Sequence, residues 1–218
     1  MSVTRESVQQ LLNSEDYGQR LSGVNQLRQL EPTTAFELIQ VVLHDTNTRV
    51  RYAAVSQMDT LGTQDLPLSL QLLRQSLRDS EPDVQAAAAD ALGALKLTEA
   101  FEELEQLYHQ TPEWLVQFSI IATLGELGDP RSFSLLEVAL NSDTELVRTA
   151  AISALGELGD SRAVSLLIPF AESSDWQVRY RVVQALQKLG GSEAHSTLEV
   201  LANDSFEQVA KEAQASLQ

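Results

Sequence analysis

The sequence predicts an all-α solenoid, an α-α superhelix of about seven helix pairs, and three observations carry that prediction. A segment recurs with anchors at Gln19, Val50, Val84, Val116, Val147, Val178 and Val209, at intervals of 31, 34, 32, 31, 31 and 31 residues. Within each copy, apolar or small residues fall 0, 4, 8 and 11 residues from the anchor, which is one face of a helix. A stop and a second amphipathic stretch then precede the next anchor.

Four residues past the anchors stand Gly23, Ala54, Ala88, Ile120, Ala151, Val182 and Ala213. Eight past lie Leu27, Met58, Leu92, Leu124, Leu155, Leu186 and Leu217, and eleven past lie Leu30, Leu61, Leu95, Leu127, Leu158 and Leu189. The expected pairs are 4–13 with 17–29, 33–43 with 48–61, 66–78 with 82–95, 98–109 with 113–127, 131–140 with 144–158, 162–173 with 176–189, and 193–203 with 206–217. Gly18 and Gly23 degrade the first pair, and the polar end of the last suits a cap. Gly62, Gly128, Gly159 and Gly190 are expected as left-handed helix stops, with Gly125 and Gly156 as further punctuation. Asp45, Asp79, Asp143, Asp175 and Asp204 are expected to start helices. β-branched runs such as Ile120-Ile121 keep the helical period, so no strand is expected. No linker exceeds a turn, and 1–218 reads as one domain whose copies bury their apolar faces against one another.

Composition narrows the function. Fifteen Lys and Arg against thirty-one Asp and Glu give a formal net charge of −16, which disfavours nucleic acid and anionic lipid as partners. With no cysteine, disulfides, thiolate metal sites and covalent thiol chemistry on this chain are excluded. No apolar run is long enough to span a bilayer and the first residues are polar, so no membrane insertion and a cytoplasmic location are expected.

The stretch Val147-Arg148-Thr149-Ala150-Ala151-Ile152-Ser153-Ala154-Leu155-Gly156-Glu157-Leu158-Gly159-Asp160 resembles the HEAT-like repeat named after phycobilisome lyases. The resemblance runs nearly the length of the chain. It departs at Gln85, Gln117 and Ala210, where the pattern has the arginine seen at Arg20, Arg51, Arg148 and Arg179. Within that family the chain is similar to the phycobilisome degradation proteins in size, repeat-only construction and acidity. The resemblance implies phycobiliproteins (phycocyanin and allophycocyanin) as partners, and free bilin as a further one. It implies docking that promotes antenna dismantling, with lyase-like detachment of the chromophore or a general scaffold role as alternatives. No resident cofactor is expected, though phycocyanobilin could bind transiently; with no cysteine, any lyase chemistry would have to hold chromophore and acceptor non-covalently.

Searching for chemistry yields little. His44, His109 and His195 sit at unrelated offsets and none is followed by Glu, unlike the His-Glu pairs with which iron-binding hydroxylases of this repeat fold hold metal. No metal site is expected, no phosphate loop or nucleophile elbow is present, and no catalytic residue can be assigned.

Two side-chain sets are candidates for binding. Arg51, Arg148 and Arg179 recur at one offset with Asp45, Asp143 and Asp175 a few residues earlier. They read either as ties between adjacent repeats or as a cationic strip for the two propionates of a bilin. Aromatics occupy positions two before and two after an anchor, four apart and so on one helix face: Trp114 with Phe118, and Trp176 with Tyr180, with Tyr52 and Tyr17 at the same offsets elsewhere. Arg181 stands where Ala53, Ala87 and Ala150 occur in other copies. The resemblance implies that second helices line a concave surface. Tyr52, Trp114, Phe118, Trp176, Tyr180, Arg181, Arg148 and Arg179 are therefore expected to form a partner- or bilin-binding stripe, the alternative being that the aromatics cap inter-repeat packing.

Overall fold

Burial of the repeated apolar stripe decides the architecture. In a computed structural model describing residues 3–218, every regular element among the described residues is helical. The chain falls into two units, Met1–Ile120 and Ile121–Gln218.

In the first unit, α1 (Arg5–Leu12) packs on α2 (Tyr17–Leu27). α3 (Pro32–Ile39) runs into a 3-10 turn at Gln40–Val42 and packs beside α4 (Thr48–Ser56) and α5 (Met58–Leu61). α6 (Leu66–Ser76) packs on α7 (Pro82–Ala94), and α8 (Phe101–Gln110) leads to α9 (Trp114–Leu127), whose first half belongs to this unit. In the second unit, α10 (Ser132–Ala139) packs on α11 (Glu145–Leu158). α12 (Ala163–Leu167) with its 3-10 continuation Ile168–Glu172 packs on α13 (Trp176–Leu189), and α14 (Ser192–Leu201) on α15 (Glu207–Ser216). Within each unit the second helices also pack in series, α2 on α4 on α7 in one, α11 on α13 on α15 in the other. Among the described residues no helix is long and apolar enough to cross a membrane.

The fourteen helical spans of the repeat are present among the described residues, and those expected at 48–61 and 162–173 are interrupted. The span expected at 48–61 breaks at Gln57, whose Nε2 donates to the Val24 carbonyl at 2.9 Å. That carbonyl lies in the last turn of α2, where no later helical N–H can reach it. α12 stops at Leu167 because Pro169 has no N–H to give the Ser165 carbonyl and its ring crowds it.

The stripe forms the core: Leu27, Met58, Leu92, Leu124, Leu155 and Leu186, all eight past an anchor, are fully buried. At an apolar coefficient of ~25 cal/mol per Å², each such side chain contributes about 2 kcal/mol on burial. Gln19 departs from the expectation; it is exposed, and the stripe of the first copy begins at Gly23.

The glycines divide by job. Gly128 and Gly159 have φ of +66° and +74°, as expected of a left-handed stop, while Gly190 has φ +66° but ψ −165°, a glycine-only conformation that is not the left-handed helical cap. Gly62 is not left-handed at all: its φ is −62°, and a Cβ there would lie 2.6 Å from Leu95 Cδ1 and 3.0 Å from Ser69 Oγ, so those side chains would have to shift. Gly125 and Gly156 are not punctuation either. They lie inside α9 and α11, and a Cβ on them would come within 2.6 Å of Ala154 Cα and 2.7 Å of Ala185 Cα. Two helix backbones thus meet with one hydrogen between them.

A ladder of arginines runs along the second helices. Arg20 Nε and Nη2 donate to Asp45 at 2.5 and 2.8 Å, Arg51 to Asp79 at 2.7 and 2.9 Å, and Arg179 to Asp204 at 2.6 and 2.8 Å. The Nε–Nη2 fork of each of these arginines therefore grips the carboxylate of the next copy, not that of the acid preceding it as the sequence spacing suggested. The third nitrogen, Nη1, donates to the carbonyl six residues earlier: Ser14, Asp45, Ser142 and Ser173 for Arg20, Arg51, Arg148 and Arg179. Gln85 and Gln117 make the same backward bond, to Asp79 and Thr111. The acids are loop clamps as well. Asp45, Asp79 and Asp204 accept the N–H two residues on, from Asn47, Glu81 and Phe206. Burial raises the Asp45 and Asp79 carboxyls, but the facing guanidinium and the loop N–H outweigh it and hold both below the ordinary carboxylate range. For Asp204 the Arg179 hydrogen bonds dominate, with the same outcome.

Candidate partner-binding surface

The candidate residues fall in both units. In the second unit, α13 starts at the Asp175 cap, whose carboxylate accepts the Gln177 N–H at 2.9 Å, and this places Trp176 in the first turn. Trp176 lies flat against Phe206, with ring centroids 4.2 Å apart and planes at 19°. One turn on, the Tyr180 hydroxyl donates to Glu212 Oε2 at 3.2 Å; burial and that carboxylate push its pKa above the ordinary phenol value. Arg181 is exposed and reaches Ser153 Oγ at 3.4 Å. Leu146 of α11, 51% exposed, faces the same cavity of 440 Å³, which Trp176, Tyr180, Arg181 and Gln208 also line. The mouth thus sets Leu146 and two aromatic rings beside the exposed Arg181, with Glu145, Asp175 and glutamines completing the wall, a mixed composition suited to gripping a side chain that is part apolar and part polar.

Arg179 is not brought to that cavity. Its three nitrogens are spent on Asp204 and on the Ser173 and Ser174 carbonyls, so it acts as a tie between copies. Arg148 is half-buried beside a separate, smaller cavity. In the first unit, Tyr52 is 48% exposed and lines a cleft of 640 Å³ with Asn25, Arg28, Ser56 and Asp59. Trp114 is 47% exposed at the start of α9, and Phe118, one turn on, is half-buried. His44, His109 and His195 are all exposed, and no group of three or more His, Cys, Asp or Glu among the described residues could hold a metal.

Leu146 and Phe206 escaped the sequence reading. Phe206 had a visible signal. It takes the helix-capping position held in other copies by Asp16, Asn47, Glu81, Glu113, Thr144 and Asp175, and it makes no side-chain cap bond. An aromatic replacing a polar cap marks a packing role. Leu146 had none, since an apolar residue at a helix start is as consistent with burial as with exposure.

This arrangement is that of a helical repeat protein, and the chain belongs to the HEAT-repeat family: residues 70–155 and 134–218 match HEAT repeats. No curated protein matches it in sequence. Among solved structures it is similar to the complex of CpcE and CpcF of phycocyanin lyase from Nostoc, with 20% identity over 100% of this chain and 94% of that chain and a TM-score of 0.66. It is also similar to YibA of Escherichia coli, 17% identical over 98% of this chain and 80% of that one, TM-score 0.72. A third is an archaeal HEAT-like repeats protein from Thermococcus onnurineus, 13% identical over 99% and 96%, TM-score 0.57. At these identities the likeness is one of fold.

Proposed function

We propose that this protein binds phycobiliprotein subunits, phycocyanin or allophycocyanin, and by docking on them promotes dismantling of the light-harvesting antenna, in the manner of the degradation protein NblB. The observation that carries the proposal is the cavity lined by Leu146, Trp176, Tyr180 and Arg181, which opens exposed apolar, aromatic and cationic groups together on the second helices of a HEAT-repeat chain. The choice of partner rests on the repeat motif and on the likeness in fold to the phycocyanin lyase complex. Trp114 and Tyr52 are assigned to the same binding role because they expose aromatic faces at corresponding offsets.

A second reading, detachment of the bilin itself, is favoured by Arg181 lining one cavity with the Trp176 and Tyr180 rings, a setting in which a planar tetrapyrrole could lie. One titration separates the two. Purified protein is added to phycocyanin while size exclusion follows complex formation and absorbance follows the chromophore. Docking gives a complex with an unchanged spectrum; detachment changes the spectrum; neither signal removes the phycobiliprotein assignment. Changing Trp176→Ala together with Trp114→Ala should weaken the complex about 30-fold, the effect of losing ~2 kcal/mol of aromatic contact, with helical content intact. Unchanged affinity would show that these rings are not the docking surface.

A further inference from the structure

In sequence, the residue one past each anchor is matched by the residue five before the next: Arg20 with Asp45, Arg51 with Asp79, Gln85 with Thr111, Gln117 with Ser142, Arg148 with Ser173, Arg179 with Asp204. Arginine is matched by aspartate and the shorter glutamine by a hydroxyl, with one exception. Arg148 is matched by Ser173.

Ser173 does everything for the backbone that Asp45 does. Its Oγ accepts the Asp175 N–H at 3.2 Å as Asp45 accepts that of Asn47 at 2.8 Å, and its carbonyl accepts Arg179 Nη1 at 2.7 Å as that of Asp45 accepts Arg51 Nη1 at 2.8 Å. What it lacks is the pair of oxygens that the preceding arginine would grip. Arg148 accordingly keeps its backward bond, Nη1 to the Ser142 carbonyl at 2.6 Å, and pairs with no carboxylate among the described residues. Arg148 and Ser173 instead line a cavity of 270 Å³ whose wall includes Ile152 and Phe170. At about 30 Å³ per water this holds a carboxylate and several waters. Glu145 and Asp175 also line it, and neither forms an ion pair with Arg148.

We infer that Arg148 and the notch above Ser173 form a binding site for a carboxylate supplied from outside this chain, held by Nε and Nη2 in the fork that Asp45, Asp79 and Asp204 occupy at the other arginines. A guanidinium fork matches a carboxylate two-pronged, and at three other junctions of the same chain the fold already presents it in that geometry. The carboxylate has two sources, a free small acid or an Asp or Glu side chain of a docked polypeptide. The net charge of −16 repels free anions, whereas tethering supplies a high local concentration. The inference does not depend on which protein docks at Trp176.

Side-chain Nε–Hε resonances of the full chain test it. Sodium acetate is titrated against sodium chloride at equal ionic strength, and a blocked tripeptide bearing Asp against its Asn counterpart. Arg148 Nε–Hε should shift saturably with the carboxylate probes only, while Arg51 and Arg179 stay in place. Saturation at lower concentration by the peptide assigns the site to a polypeptide side chain; tighter binding of acetate assigns it to a free acid. Ser173→Asp should abolish the response and leave Arg148 Nε–Hε protected from exchange like that of Arg51. Arg148→Gln, which copies Gln85 and Gln117 and so should fold, assigns the responding resonance by deleting it. The site is overturned if neither carboxylate moves Arg148 more than chloride does, or if the response survives in Ser173→Asp.

Discussion

The junctions built on Arg51 and on Gln85 sit side by side in the first unit and solve the same problem with different reach. Both side chains donate to a loop carbonyl six residues back, at 2.8 Å in each case. Only the arginine has a second edge left over, and it spends that edge on Asp79 of the next copy. The shared duty is therefore to satisfy the turn between paired helices. The tie between neighbouring copies is an addition that glutamine does without, and the hydroxyl of Thr111 suffices there because it has only its own turn to clamp, through the Glu113 N–H.

Removing the carboxylate breaks the contrast most severely. Asp79→Ala leaves the Arg51 fork and the Glu81 N–H unpaired together, with both side chains of the ion pair under 15% exposed. It should cost about 2–3 kcal/mol in denaturant unfolding, below the 3–5 of a fully buried pair because the site is partly wet. Asp79→Ser keeps the clamp on Glu81 and copies the Arg148–Ser173 junction, so about half that loss is expected. Converting the junction outright, Arg51→Gln with Asp79→Thr, should restore stability to within about 1 kcal/mol of the parent, since it reproduces the Gln85–Thr111 arrangement. A double variant as damaged as Asp79→Ala would mean that glutamine and arginine are not interchangeable in the turn.

The gentlest probe is pH. Asp45, Asp79 and Asp204 are all held below the ordinary carboxylate range, so the stability they add is complete above about pH 4 and is lost as pH falls below it. The Gln85–Thr111 junction contains no such group. Amide exchange on acidification should therefore accelerate first around Asn47, Glu81 and Phe206, and later around Glu113.

The repeat itself was legible because its signal is redundant. Seven copies of one apolar register leave little freedom in helix type or order, and a single failure such as Gln19 does not disturb the frame. The ladder was legible in composition but not in direction. Spacing puts an acid a few residues before each arginine, and only packing shows that the fork points the other way. The glycines inside α9 and α11 were misread for a related reason. A glycine near a helix end satisfies a stop and a close approach equally well on paper, and the neighbouring backbone that decides between them lies some thirty residues away. Of the candidate site, Trp176 and Tyr180 could be placed on one face by counting and Arg181 stood out where other copies have alanine, whereas Leu146 could not be found, because exposure is not a property of a residue alone.

The contacts of Gly125 with Ala154 and of Gly156 with Ala185 have a consequence for how this chain tolerates change. Where neighbouring helices are spaced by interleaved side chains, a substitution can be absorbed by a rotamer shift. Here the spacer is a bare main chain, which has no rotamers. Even a methyl group at position 125 or 156 has to be accommodated by moving a whole helix, so the spacing of successive second helices in this unit is held at those two contacts.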